Sequence, residues 1–248
     1  MVSLADDFRT DRTLNTNVWI VLHQQGDTSN GEVECYAPSQ VTVSRARGLG
    51  ETEQYMSRGF ACPRGTPNSS NPLHWKSGAV QMRSYRFTYG TVVVRAKMAG
   101  GHGAWPAIWL LGAACQRPTW LSNACRWPSD SADAAEIDVA EDLGSHGRTT
   151  VNENVFSNSL NDSCQYDTGS SLSSRYHNYQ VDWTPGSLVF RVDGKTTGCG
   201  VTGGNVPSHP MFLIINTAAC TTGSTCGYGA NPSTFPQTTS IAWVHISR

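Results

Sequence analysis

The segment DAAEIDVAEDLG, residues 133–144, sets Glu136, Asp138, Glu141 and Asp142 among Ile137, Val139, Ala140 and Leu143. The apolar members read as a buried strand, and a strand sends alternate side chains to opposite faces. Glu136 and Asp138 therefore share one face, and Ile137 and Val139 take the other. Strict alternation would next place Glu141 with the apolar set. One extra residue, a β-bulge, returns it to the acidic face, and bulges concentrate beside active sites. The result is three carboxylates in line on one sheet face, backed by an apolar core face.

Carboxylates in that arrangement have ordinary uses: an exposed sheet face carries acids, and three oxygens can hold a structural cation. The spacing favours chemistry. Four net strand steps of about 3.3 Å separate the Glu136 and Glu141 backbones by about 13 Å. If each side chain leans about 4 Å toward the other, the carboxyls approach to about 5 Å, the separation used for retaining cleavage of a glycosidic bond. An inverting pair would stand farther apart to admit a water. Crowding also supplies the difference in acidity: like charges this close cannot all ionise freely, so one acid is pushed to keep its proton. Asp138, between the glutamates, is placed to hydrogen-bond one of them, or else to satisfy a structural donor.

Aromatic rings beside the acids would suit a sugar, whose C–H faces stack on rings while its hydroxyls seek polar partners. GGHGAWPAIWLLG places Trp105 and Trp109 in a glycine-flanked segment, followed by a long loop with Trp120 and Trp127. Trp109, between Ile108 and Leu110, reads equally well as packed core; Trp105, after glycines and before Pro106, is the better cleft candidate. In TTVNENVFSN, Asn152, Asn154 and Phe156 share one strand face and Val151, Glu153 and Val155 the other. A face of amides ending in an aromatic suits a sugar cleft or a solvent-exposed edge.

These side chains need strands to hold them. Helical periodicity is almost absent. Strand-like runs recur instead: VECYA, VTVSR, GAVQMRSYRF, GTVVVRAKM, EIDVAE, TTVNENVF, NYQVDWT, SLVFRVDG, MFLIINTA and SIAWVHIS. WTPGSLVFRVDGK reads as strand, Pro-Gly turn, strand, Asp-Gly turn, the pattern of an antiparallel meander. Ten or more such strands without intervening helices predict an all-β sandwich of two antiparallel sheets. Residues 60–75, 113–133 and 219–237 are expected to be long loops. With 248 residues, no repeat and no linker, residues 1–248 are expected to form a single catalytic domain.

Only 15% of residues are charged, the net charge is −1 and the basic residues are scattered, which argues against nucleic acid or an anionic membrane as partner. No run of 18 apolar residues spans a membrane. The eight cysteines lack C-x-x-C pairs, so disulfides in an oxidising compartment are expected rather than zinc, with buried thiols as the alternative. Cys115–Cys125 and Cys220–Cys226 would each close a short loop. MVSLADDF has neither a basic n-region nor an apolar h-region, so a secreted protein with this start is expected to be a mature form with an added Met1.

In order along the chain, SGAVQMRSYRFTYGTVVVRAKM, GAWPAIWLLG, EIDVAE, HNYQVDWTPGSLVFRVDG and PMFLIINTA resemble the successive motifs of glycoside hydrolase family 16, the laminarinase, lichenase and transglycosylase group. The resemblance implies a β-jelly-roll with a concave substrate cleft. It also implies roles: Glu136 as nucleophile, Asp138 as assisting carboxylate, Glu141 as general acid and then base. The residue inserted before Glu141 resembles the bulged, laminarinase-like form, whose members cut β-1,3-glucan and often mixed-linkage β-1,3-1,4-glucan. Arg83, Asn154 and Asn216 fall where relatives contact the sugar nearest the scissile bond, and Trp105 and Trp109 where they line the donor side. Three departures stand out, the first that INTAACTTGSTCGYG puts a cysteine-bearing loop where relatives have a Gly-rich one. Laminarinase-like relatives often carry a His where this chain has Phe156, which resembles the lichenase side. Relatives often hold a structural calcium through an Asp of the last strand, where this chain has Ala242, which argues against calcium.

The expected protein is a secreted, monomeric, retaining endo-β-1,3-glucanase that requires no cofactor and whose partner is a β-glucan polysaccharide. The alternatives are a galactan-active hydrolase of the agarase or carrageenase kind, and a non-catalytic β-glucan-binding module. A calcium-dependent lectin on an unrelated sandwich would need a ligand cluster that these motifs do not supply. Relatives that only bind have lost the glutamates, and both are present here.

Overall fold

The computed structural model describes residues 4–63, 72–116, 135–144, 148–157, 160–221, 223, 226 and 229–248. Within them two sheets pack face to face, as expected. The first is antiparallel throughout and runs β13 (Leu160–Asp167), β12 (Thr150–Ser157), β11 (Glu136–Glu141), β10 (Ala104–Gly112), β17 (Met211–Ala219), β8 (Ala79–Met82), β2 (Trp19–Val21). The second runs β16 (Lys195–Thr202), β15 (Ser187–Val192), β14 (His177–Thr184), β9 (Gly90–Lys97), β18 (Gln237–Ser247), β6 (Gly48–Phe60), β7 (Leu73–Ser77), β4 (Glu34–Tyr36), β3 (Gln24–Gln25). Here β1 (Leu4–Asp7) adds to β18, β5 (Val41–Ser44) adds to β6, and the β4–β7 pair is parallel.

The core lies between the sheets. Val92 and Val94 of β9 and Tyr179, Val181 and Trp183 of β14 are fully buried in one cluster with Ile137, Val139, Val151 and Leu213 of the opposite sheet. Period-two alternation produces this directly, and β14 reads buried, half-buried, buried along its length. The meander is present: β14, β15 and β16 pair in sequence. Asp193 and Gly194 both have positive φ, at 51° and 80°, as a two-residue turn matched to strand twist requires.

The expected loops are shorter than the sequence suggests. Strand β6 continues to Phe60 and β7 starts at Leu73, so 60–75 is strand at both ends. In 219–237, Ala219 closes β17, Cys220 bridges to Glu32, and β18 starts at Gln237. The 113–133 stretch opens with a 3-10 turn at Ala113–Cys115; Trp120, Cys125 and Trp127 lie outside the described residues.

The cysteines among the described residues are disulfide-bonded, and none of them is a free thiol. Cys220–Cys226 forms as expected, Cys35–Cys62 ties β4 to the end of β6, and Cys164–Cys199 joins the edge strands β13 and β16 across the two sheets. Cys115 is also disulfide-bonded, while its expected partner Cys125 is outside the described residues. Among the described residues no helix is long and apolar enough to cross a membrane.

Candidate active site

The site lies on the outward face of the first sheet, and the bulge assembles it. Between β11 and β12, Glu136 pairs with Phe156 and Asp138 with Asn154, but the next pair is Glu141 with Asn152. One residue too many therefore separates Asp138 from Glu141. The same shift shows on the other side, where Trp109 faces Asp138 and Ala107 faces Glu141. Val139 and Ala140 both point into the core. The three carboxylates consequently share one face with Trp105, Trp109, Asn152 and Asn154. Asp142, the next acid, is turned away: it is buried and ion-paired to Arg148 at 3.5 Å. Arg148 also donates to the carbonyls of Ala99 and Gly101, fixing the end of the acidic strand to the turn that leads into Trp105.

The acids are linked through Asp138, which is hydrogen-bonded to both Glu136 and Glu141. Asn154 Nδ2 donates to Asp138 Oδ2 at 3.0 Å and to Glu141 Oε2 at 2.7 Å, holding the two side by side. Trp105 Nε1 donates to Glu141 Oε1 at 2.7 Å. Glu141 thus has both oxygens fixed and cannot swing without breaking a bond at each end. Burial pushes the Asp138 carboxyl well above the usual carboxylate range, and the Glu136 charge pushes it further. Burial likewise raises Glu141, reinforced by the charge of Asp138 and opposed by the Trp105 and Asn154 donors. Two donors thus work against burial at Glu141, and the acid it contacts, Asp138, is itself pushed up.

Trp109 Nε1 donates to Asn216 Oδ1 at 2.7 Å, so Asn216 joins the same face. Six of the seven other expected site residues, with the carboxylates, therefore gather here: Asp138, Glu141, Trp105, Trp109, Asn154 and Asn216, around Glu136. Arg83 is placed differently: it is exposed, and its Nε donates to the Thr16 carbonyl at 2.6 Å. Sequence reasoning missed Tyr36, whose hydroxyl accepts from Asn216 Nδ2 at 2.9 Å across 180 positions of sequence, and the Glu32 and Glu34 side chains behind it. It also missed Gln165, which donates to Asn152 Oδ1 at 3.1 Å. For metal, no group of three or more His, Cys, Asp and Glu side chains is arranged as a ligand set among the described residues. Ala242 is fully buried where the register of β18 shifts.

A two-sheet sandwich with a bulged carboxylate strand on its open face defines the class, and comparison with known proteins assigns the family. The model for glycosyl hydrolases family 16 matches residues 36–243, and the chain belongs to that family. It is 28% identical over 179 residues to a β-glucanase of Rhodothermus marinus, covering 65% of this chain and 58% of that protein. It is also 28% identical over 159 residues to a keratan-sulfate endo-1,4-β-galactosidase of Sphingobacterium multivorum, covering 60% of this chain and 35% of that one. The chain thus spans well under two thirds of these relatives' length. The fold matches the catalytic domain of an endo-1,3-β-glucanase (laminarinase) from Thermotoga petrophila RKU-1 with a TM-score of 0.79, at 22% identity over 98% of this chain and 95% of that one. A lichenase derived from a mouse hindgut metagenome matches with a TM-score of 0.75, at 20% identity over 100% of this chain and 99% of that one.

Proposed function

We propose that the protein is a retaining endo-β-glucanase that cleaves β-1,3-glucan, and mixed-linkage β-1,3-1,4-glucan as a second substrate. The observation that carries this reading is the bulge-aligned set Glu136, Asp138 and Glu141, with Asp138 hydrogen-bonded to both glutamates. Glu136 attacks the anomeric carbon while Glu141 gives its proton to the departing glycosidic oxygen, leaving a glycosyl ester on Glu136 and an ionised Glu141. Glu141 then takes a proton from water, whose oxygen attacks the same carbon and frees Glu136. Two inversions give net retention. Asp138 positions Glu136 through the hydrogen bond between them. Trp105 and Trp109 offer ring faces to the sugar, and Asn154 and Asn216 offer amide groups. Arg83, at the surface end of the same sheet, is proposed to reach the sugar only if it leaves the Thr16 carbonyl. No cofactor takes part. Disulfides suit a secreted protein, and a monomer is sufficient because all site residues come from one chain.

The names of relatives support β-glucan as the substrate class: a β-glucanase and two endo-1,3-1,4-β-glycanases of Rhizobium meliloti are among them. The galactosidase relative favours a galactan as the second reading. A β-1,3-glucan-binding protein of Penaeus monodon is also related, at 30% identity over 54% of this chain, but here both glutamates are in place on one face. The test is reducing-end release from laminarin and mixed-linkage β-glucan in parallel, with Glu136→Gln as control. Release from laminarin that falls by at least about 10³-fold in the variant is expected. Release from neither glucan by the unaltered protein overturns the reading and points to galactans or to binding without turnover.

A further inference from the structure

Behind Trp109 the hydrogen bonds continue out of the cleft in a single file. Trp109 Nε1 donates to Asn216 Oδ1 at 2.7 Å, Asn216 Nδ2 donates to Tyr36 OH at 2.9 Å, and Tyr36 OH donates to Glu32 Oε2 at 3.1 Å. Direction is forced at each end. An indole N–H only donates, so Asn216 must present its oxygen to Trp109. The phenol spends its one proton on Glu32, so toward Asn216 it can only accept, and the amide is oriented from both sides.

Glu32 is itself pinned. It accepts from Asn30 Nδ2 at 2.9 Å and from Asp27 N at 3.0 Å, and its backbone bridges to Cys220. Beside it lies the fully buried Glu34, which accepts from Ala219 N at 2.8 Å and is hydrogen-bonded to Glu32. Burial and the Glu32 charge push the Glu34 carboxyl well up, against the Ala219 N–H that pulls it down. The file therefore ends on an anchored carboxylate that joins β4, the Cys220 turn and β17. Trp109 is only partly buried, and without this file its ring would have one fewer constraint on its plane.

We propose that Tyr36, held by Glu32, is a positioning residue that fixes the Trp109 indole through Asn216 and so sets how tightly the cleft binds the sugar on that side. It touches neither the carboxylates nor the reacting carbon, so its removal acts on KM more than on kcat. The proposal rests on the glucanase reading, in which Trp109 faces substrate.

The experiment is a double-mutant cycle on laminarin with Tyr36→Phe, Trp109→Phe and the pair, each checked for Tm. Tyr36→Phe alone should raise KM about three- to tenfold, the loss expected of one hydrogen bond's ordering, with kcat changed less than twofold. In the Trp109→Phe background, which already lacks the indole N–H, the same change should raise KM by less than twofold. Equal effects in both backgrounds, or an unchanged KM in Tyr36→Phe, overturn the proposal. A fall in kcat and Tm with KM unchanged marks Tyr36 as merely structural and overturns it too. Failure of the parent reading looks different: either no turnover of laminarin by the unaltered protein, or Trp109→Phe itself leaving KM unchanged.

Discussion

Glu153→Gln tests the physical account most sharply, because it sits on the catalytic-face strand but points the other way. Asn152 and Asn154 turn outward to the carboxylates, while Glu153 turns into the sandwich, 1% exposed, accepting from Thr197 Oγ1 at 2.6 Å. Its cross-strand neighbour is Cys164, bonded to Cys199. Burial pushes its pKa from 4.5 to about 8, against a smaller pull downward from the Thr197 hydroxyl. The folded state therefore holds a proton that the unfolded chain releases above about pH 4.5. Stability from this group is fully present below that value and is lost as pH rises toward 8, at about 1.4 kcal/mol per unit. Over the 4.5-to-8 interval that amounts to about 5 kcal/mol at most, and relaxation around the ionised group lowers it to about 2–5 kcal/mol. A glutamine has nearly the same shape, keeps an oxygen for Thr197 and does not titrate. Urea unfolding at pH 4.5, 6, 7 and 8 should show equal stability at the lowest pH and a variant more stable by about 2–5 kcal/mol at the highest. Activity read on short time scales should keep the same alkaline limb, because in the proposed mechanism Glu141 sets that limb. Two stability curves that stay parallel from pH 4.5 to 8 would refute the reasoning.

Two further outcomes follow from the same structure. Asn154 donates to Asp138 and Glu141 and so favours their ionised forms; Asn154→Ala should raise Glu141 further and move the alkaline limb of kcat/KM upward by about one pH unit, with a lower plateau. A limb that moves downward in pH–rate profiles would show that Glu141 is not the proton donor. Replacing Cys164 and Cys199 with serine opens a loop spanning 35 positions and should cost about 3–4 kcal/mol in denaturant unfolding, while laminarin hydrolysis at low temperature persists.

What the sequence makes legible is what can be decided within a few residues. The bulge is one such case: only one added residue between Asp138 and Glu141 lets the acids share a face while Ile137 and Val139 stay buried, and the register obeys it. The meander is another, since Asp193-Gly194 demands a turn whatever surrounds it. Strand β6 was hidden for the opposite reason. Its inward positions after Leu49 are Glu51 and Glu53, both fully buried, so an apolar alternation that would reveal a core strand is replaced by acids. Burial pushes both carboxyls well up, and a neutral carboxylic acid can occupy a core position that a carboxylate cannot. The strand thus pairs by its neighbours β18, β5 and β7 rather than by its own pattern. Edge strand β13 escaped for a weaker form of the same reason: its inner face, Leu160, Cys164 and Tyr166 against the core, is interrupted by Asp162 and stays only half-buried.

The site divides along the same line. Carboxylate order is local, but which donors reach the carboxylates is decided by pairing. Trp105 meets Glu141 from 36 positions away because β10 lies beside β11, and Tyr36 meets Asn216 across 180 because β4 joins the sandwich through β7. Nothing in ECYA distinguishes a tyrosine that ends a hydrogen-bond file from one that fills a core. The distinction lies in the acceptor it finds, and that acceptor, Glu32, is held by a turn whose form depends on Cys220. Acid-base chemistry was therefore readable from one strand. Its tuning was not, because every group that shifts Glu141 apart from Asp138, its neighbour in sequence, arrives from another strand.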